Sequence, residues 1–314
     1  MKKTLITQTA KELQNTKKLI HRFSVKEKNK IRMVNDPIPP LKSMLRQINP
    51  ILTEIYVQEL IKHNLQDIAH AYLPKKSIRT NAEIHRHSYE IIKFDFAGFY
   101  DHVVWEYFVE YLIQIEPGIK HNQKLVKRLF IDPKTNGITQ GLPVSGACAG
   151  LALIPFWKKL KQKLPNNIVF TQYSDDLIFS VKPDNVKPPE FDIKWLTKII
   201  MKSLKQSNRN FKLKEEKTCI QKRQFRKITG VRINEHNEMT VPRYDEKFFR
   251  LLLHQLNIGE DINEILKRHG FASIPALRGK ISYCRSIDQS GKLERLLMKY
   301  KNIVEKYNLA NFKK

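Results

Sequence analysis

Apolar and polar residues alternate along this chain in two rhythms, and the rhythm assigns most of the elements. Ile168-Val169-Phe170 and Leu177-Ile178-Phe179 are short runs rich in β-branched and aromatic residues on either side of Thr171–Asp176. That pattern predicts strand, turn, strand, with Asp175 and Asp176 at the tip. Side chains alternate faces along a strand, so one carboxylate is expected to point into a site and the other nearly away. Ile20–Val25 and Lys30–Val34 alternate around the polar Lys26–Asn29 and predict a hairpin with cations on one face. Tyr89–Asp95 predicts a strand ending in a carboxylate, and residues 101–112 an amphipathic helix with Asp101 at its N-cap.

Helical spacing marks residues 9–20, 41–61 with Pro50 interrupting, 124–131, 147–160 (a helix of small residues) and 193–204. Residues 71–87 are basic and irregular, 137–146 form a loop punctuated by Gly and Pro, and 183–189 are a linker. Residues 211–218 alternate and are rich in lysine, while 225–234 and 238–241 flank the turn Glu235-His236-Asn237 as a second hairpin. Beyond Pro242 the texture is helical with basic faces, over 245–257, 261–268, 274–287 and 291–307, which puts a domain boundary near 238–243.

Charge adds a partner to this outline. The chain carries 57 Lys and Arg against 31 Asp and Glu, a formal charge of +26. Of this, +14 falls in residues 201–314 and +12 in the first 200, so the excess is no basic tail but a property of several subdomains. Such a surface predicts a polyanion, with nucleic acid the first candidate. Cys148, Cys219 and Cys284 are widely separated and form no C-x-x-C, which supports reduced thiols rather than a zinc site or a disulfide framework. No run approaches the ~18 apolar residues of a membrane span, and Met1–Gln8 lacks the apolar core of a signal peptide. The expectation is a cytoplasmic protein with no membrane partner.

Adjacent carboxylates at a turn repel each other unless a cation sits there. Asp95, at the end of another strand, is the candidate third member, since a sheet could bring both tips to one edge. Three carboxylates so placed would bind two Mg²⁺ ions, the arrangement that activates a 3′-hydroxyl and stabilises a leaving pyrophosphate. Together with the basic surface this is nucleotidyl-transfer chemistry on a nucleic-acid template.

Phe94-Asp95, Gln140-Gly141-Leu142-Pro143 with Ser145, Tyr173-Ser174-Asp175-Asp176 and Lys217-Thr218 resemble, in order and spacing, the palm motifs of reverse transcriptases over most of residues 30–230. Asn81-Ala82-Glu83-Ile84-His85, Ile228-Thr229-Gly230, and Arg278–Ser282 with Ser286-Ile287-Asp288 are similar to elements of bacterial retron reverse transcriptases. The resemblance implies an α+β right-hand polymerase: an N-terminal helix and fingers over 1–90, a palm with an antiparallel sheet over 91–237 (fingers elements at about 113–140), and a helical thumb over 238–314. It implies Asp95, Asp175 and Asp176 as the catalytic and metal-binding triad for two Mg²⁺, with Mn²⁺ as the alternative ion. For the dNTP it implies Lys30 and Arg32 on the triphosphate, Tyr100 under the sugar, Gln140 and Gly141 against the nascent base pair, and Lys217 as proton donor to pyrophosphate. A ring packed against C2′ leaves no space for a 2′-hydroxyl. For RNA it implies Asn81, His85, Arg243, Arg278 and Arg285. The plainer alternatives are a core tyrosine for Tyr100, a solvated strand face for Lys30 and Arg32, a surface lysine for Lys217, a structural histidine for His85 and helical surface charge for the three arginines.

The implied activity is RNA-directed DNA polymerase, copying a structured non-coding RNA that is both template and primer into branched RNA–DNA (msDNA) in an antiphage retron system. The partners would be that RNA, its RNA–DNA hybrid, dNTPs and a separate toxin or effector protein. The alternatives are another defence-associated reverse transcriptase, priming from protein or synthesising without a template, and a catalytically silent RNA-binding protein. The sequence departs from the retron pattern at Leu142 (usually Ala), Gly146 (usually Pro), Ala97-Gly98 (usually acidic), Ser174 (usually Ala) and Ile228 (usually Val).

Overall fold

The computed structural model describes residues 4–27, 30–183, 185–222, 224 and 226–311, with the backbone alone at Glu27, Lys30 and Arg32. The expected turn residues Lys28 and Asn29 and the expected strand start at Phe225 lie outside the described residues, as do the side chains of Lys30 and Arg32. The chain gathers into two compact units, one from Met1–Ser77, Ile92–Phe179 and Asn185–Ile220, the other from Ile78–Ile91, Ser180–Asp184 and Gln221–Lys314.

The first unit opens with α1 (Leu5–Glu12), whose first N–H groups have no helical partner of their own. Glu116, buried far along the chain, supplies it: its carboxylate accepts from the amides of Ile6 (2.8 Å) and Thr7 (3.0 Å) and from the Thr7 hydroxyl. Glu116→Ala strands those donors and is expected to cost about 2 kcal/mol in urea unfolding; a loss below about 0.5 kcal/mol would show that solvent replaces the cap.

The hairpin follows as β1 (Ile20–Glu27) and β2 (Lys30–Pro37), antiparallel with Ile20 opposite Pro37 and Glu27 opposite Lys30. Next, α2 (Pro39–Lys62) runs 24 residues straight through Pro50. A continuous buried stripe from Leu41 to Leu60 fixes this helix in the core, and that packing outweighs the roughly 3 kcal/mol a mid-helix proline costs. Part of the stretch expected to be irregular forms α3 (Ile78–His85), in the second unit.

The central strand, β3 (Glu90–Ala97), is buried on both faces except at Lys93 and Ala97. The helix expected over 101–112 is broken: 3₁₀ turns cover Phe99–His102 and Trp105–Tyr107, and α4 spans only Val109–Ile115. The carbonyl of Val103 accepts from Ile138 N–H (2.9 Å) and Val104 bridges Gly137, so backbone pairing takes the groups a helix would use. Gly137 permits this because a Cβ there would collide with the Asp101 carbonyl. Asp101 therefore caps no helix; it lies exposed within the first 3₁₀ turn.

After α5 (Gln123–Lys127), α6 (Ser145–Lys163) is buried almost all round over its first three turns. Its small residues serve packing by aromatic rings: a Cβ on Gly150 would enter the Tyr56 ring of α2, and one on Gly146 the ring of Tyr72. β4 (Ile168–Tyr173), β5 (Asp176–Val181), β6 (Lys212–Leu213) and β7 (Cys219–Lys222) join β3 in a five-stranded sheet of order β4-β5-β3-β6, with β7 also paired to β3. Between β5 and β6 lies α7 (Ile193–Gln206), capped by Asp192, which accepts from Trp195 N–H (2.7 Å).

In the second unit the expected single strand over 225–234 is split into β8 (Arg226–Ile228) and β9 (Val231–Ile233) by Thr229 and Gly230, both at positive φ, and β10 (Met239–Thr240) completes a three-stranded antiparallel sheet. Five helices follow: α8 (Arg243–Asn257), α9 (Ile262–Arg268), α10 (Ile274–Ile287), α11 (Lys292–Lys299) and α12 (Lys301–Lys306). Their apolar faces close on Phe249, Leu252, Leu277, Ile281 and Leu297. Among the described residues no helix is long and apolar enough to cross a membrane.

Candidate active site

The acids come together on the edge of the five-stranded sheet in the first unit. Asp95 sits near the end of β3 at 5% exposure. The β4–β5 turn is held beside it by backbone, since Phe96 N–H donates to the Asp175 carbonyl (3.0 Å). Ser174 turns the chain in the left-handed region at φ +56°. Gln172 fixes that turn by donating from Nε2 to the Ser174 carbonyl (2.8 Å), and Trp157 Nε1 donates to Gln172 Oε1 (2.6 Å). The alternation expected at the tip is visible: Asp175 lines an open cleft, whereas Asp176 stands 3.8 Å from Lys93 and is not part of the lining.

Electrostatics at this edge favour a cation. Burial holds the carboxyls of Asp175 and Asp176 above the usual carboxylate range, and the neighbouring acids push in the same direction. Lys217 answers part of that charge, with Nζ 2.6 Å from Asp95 Oδ2, and this hydrogen bond raises the lysine's own pKa. The 3₁₀ turn Glu215–Lys217 that presents it is tied to β3 by Lys214 N–H donating to the Asp95 carbonyl (2.8 Å). Among the described residues no group of three or more His, Cys, Asp or Glu side chains is arranged to hold a metal ion by itself. The set is instead open and made of hard carboxylate oxygens, the kind Mg²⁺ uses when substrate phosphates complete its shell, and an ammonium already stands at Asp95 as a stand-in cation.

The cleft is open to solvent, has a volume of about 490 Å³, and is lined by Asp95, Tyr100, Asp101, Gln140, Gly141, Asp175, Lys214 and Lys217, among others. Gln140 and Gly141 are exposed, and Asn35 of β2 holds this loop by donating from Nδ2 to the Gln140 carbonyl (2.8 Å). Gly141 needs its φ of +93° for that turn. Lys30 and Arg32 lie on β2, with side chains outside the described set.

The expected RNA contacts fare differently. Asn81 and His85 are fully buried in the second unit: Asn81 Nδ2 donates to Thr229 Oγ1 (3.2 Å), and His85 Nδ1 shares a hydrogen bond with Ser180 Oγ (2.7 Å). Both side chains are thus engaged within the fold. Arg285 grips Glu294 with Nε (2.9 Å) and Nη2 (3.0 Å) and donates from Nη1 to the Asn311 carbonyl (2.8 Å), so it too is engaged within the fold. Arg243 and Arg278 are exposed.

Sequence reasoning passed over Tyr72, Lys93 and Lys214. Tyr72 sits in a stretch without periodicity. It reaches the cleft because Ile68–His70 runs beside β4, where Gln172 N–H donates to the Ile68 carbonyl (2.7 Å) and His70 N–H to the Gln172 carbonyl (3.0 Å). Lys93 is two residues before Asp95 on one strand, a spacing that puts both side chains on one face and could have signalled its place.

A family model described as reverse transcriptase (RNA-dependent DNA polymerase) matches residues 24–233. Over 284 residues the chain is 24% identical to the Retron Mx65 reverse transcriptase of Myxococcus xanthus, covering 84% of this chain and 61% of that protein. It thus spans about three-fifths of that relative's length. The solved telomerase of Candida albicans, in complex with a fragment of telomeric RNA, matches 98% of this chain and 68% of its own, at TM-score 0.51 and 13% identity. That likeness concerns the fold, an α+β right-hand polymerase. With two-thirds of its length matched by the family model, the chain belongs to the reverse transcriptases, RNA-dependent DNA polymerases.

Proposed function

We propose that this enzyme copies a structured, cognate RNA into DNA and leaves the product joined to its RNA as a branch. The observation that carries this reading is the match to a retron reverse transcriptase over most of the chain, together with an intact acidic edge. A catalytically silent binding protein would have no reason to hold Asp95, Asp175 and Asp176 in mutual repulsion.

Asp95 and Asp175 would hold the divalent ions, Mg²⁺ first among them, with Asp176 supporting from beside Lys93. Two such ions supply stabilisation of the attacking 3′-oxygen and the leaving pyrophosphate. Lys217 neutralises Asp95 and keeps a full positive charge beside the triphosphate, so we assign it to phosphate neutralisation and proton donation. The exposed Gln140 and Gly141 bound the space for the new base pair, and the Tyr100 ring would stand where a ribose 2′-hydroxyl projects. Lys30 and Arg32 on β2 serve the triphosphate. Arg243 and Arg278 serve the RNA backbone through contacts that weaken with salt. In this reading residues 1–90 carry the fingers, 91–237 the palm and 238–314 the thumb, and a separate effector protein works with the complex in the cytoplasm as an antiviral defence.

The test is to purify the protein and sequence the nucleic acid that travels with it. One defined RNA linked to DNA through a 2′-branch supports the proposal. DNA attached to protein, or DNA of random sequence, replaces it with protein-primed or untemplated synthesis.

A further inference from the structure

Three hydroxyls meet at the floor of the cleft. Tyr72 Oη lies 2.6 Å from Tyr100 Oη and 2.8 Å from Ser174 Oγ, so it joins the ring beneath the sugar to the turn that carries Asp175. Tyr72 holds this place at a cost, because its backbone is left-handed (φ +62°), a conformation a bulky residue adopts only when its surroundings enforce it. What enforces it is the backbone pairing of Ile68–His70 with Gln172 on one side and α6 on the other. The ring lies on Gly146, where any Cβ would enter it. Two of the positions at which this sequence leaves the retron pattern, Gly146 and Ser174, therefore meet at one side chain. Gly146 makes room for the Tyr72 ring, and Ser174 gives its hydroxyl a second partner.

We infer that Tyr72 is a positioning residue for sugar selection, which holds the Tyr100 ring at a fixed place relative to Asp175 through the Tyr100–Tyr72–Ser174 hydroxyl chain. The inference rests on the reading of Tyr100 as the sugar gate. A steric gate rejects a ribonucleotide only as far as its ring refuses to move. Tyr100 is only partly buried and packs edge-on against Phe99, and its hydrogen bond to Tyr72, itself bonded to Ser174, opposes a tilt of the ring. Burial and the nearby Tyr72 hold the Tyr100 phenol well above its ordinary range.

Steady-state extension of oligo(dA) on poly(rU) with dATP and with ATP, by the full chain, reads the effect as a ratio of kcat/KM values. Tyr72→Phe keeps the ring on Gly146 and removes both hydrogen bonds. It is expected to lower the preference for dATP about tenfold, through a better kcat/KM for ATP, with kcat for dATP within about threefold of the parent. Ser174→Ala should lose part of the preference, and Tyr72→Phe with Ser174→Ala no more than Tyr72→Phe alone, since both cut one chain. Gly146→Ala should reproduce the loss by displacing the ring. If Tyr72→Phe does not fold, Ser174→Ala and Gly146→Ala read the same contact. Tyr100→Ala separates the two ideas. If it collapses discrimination while Tyr72→Phe keeps the parental ratio within twofold, Tyr72 is packing and the inference falls alone. Should Tyr100→Ala leave discrimination intact, the gate reading falls and takes the inference with it.

Discussion

Replacing Asp175 with asparagine is expected to cut RNA-templated DNA synthesis by about a thousandfold or more and, in the same protein, to raise the melting temperature of the metal-free state. The two effects have one cause. Burial and neighbouring acids lift the Asp175 and Asp176 carboxyls above their ordinary range, so the fold favours their neutral forms and is strained by their charge. A carboxyl whose folded pKa is raised leaves the folded state binding more protons than the unfolded one. Stability of the metal-free protein should therefore fall as pH rises from the ordinary carboxylate value through the raised one. The uncharged amide would remove one charge and flatten that dependence, with a gain of about 1–3 °C near neutral pH. Millimolar MgCl₂ should reverse the ranking, raising the melting temperature of the parent and leaving Asp175→Asn unmoved. Asp95→Asn should abolish activity equally without the gain, because it deprives Lys217 of its 2.6 Å partner. An Asp175→Asn protein that extends a primer at more than about 1% of the parental rate would take the residue out of the metal set.

That edge was legible because its chemistry is written in short strands. Apolar runs on both sides of Asp175-Asp176 set the turn, and a strand leading into Asp95 set the other half, so pattern and carboxylates agreed. Where long-range backbone pairing decides the structure, periodicity misled. Residues 101–112 have helical spacing, yet Val103 and Val104 spend their backbone on residues 137–138. Pro50 has the local chemistry of a helix breaker, and the core overrides it. Thr229-Gly230 was a motif in the sequence and is a turn in the structure, its left-handed backbone invisible to alternation. Burial also sets Asn81 and His85 apart: nothing in the local sequence announces that Thr229 and Ser180 lie within hydrogen-bond reach of them inside the fold. The departures at Gly146 and Ser174 meet at Tyr72, which comes from a stretch with no rhythm and so leaves no sign of the link in the sequence.

The largest loss of stability expected from one substitution in the second unit is at Arg226, the first residue of β8. Its side chain is fully buried. Nη1 donates to the carbonyls of Arg86 (2.8 Å) and Ser88, and Nη2 to the Asn234 carbonyl (3.0 Å) and Asn237 Oδ1 (2.8 Å). One guanidinium thus satisfies four acceptors on two loops, the one leading into β3 and the one joining β9 to β10. Alanine leaves buried carbonyls with no donor and a cavity beside them, for a cost of about 3–5 kcal/mol. Lysine is the sharper probe, because it keeps the charge but offers a point donor where a planar fork is needed, and should still lose about 2 kcal/mol. In thermal unfolding Arg226→Ala should lower the transition of the second unit by about 10 °C or more. Amide exchange should quicken at Ser88 and across β9 and β10 before it does on the strands that carry Asp95 and Asp175. A shift below about 2 °C, or exchange that quickens evenly through the chain, would mean that water takes over the four bonds and that Arg226 clamps nothing.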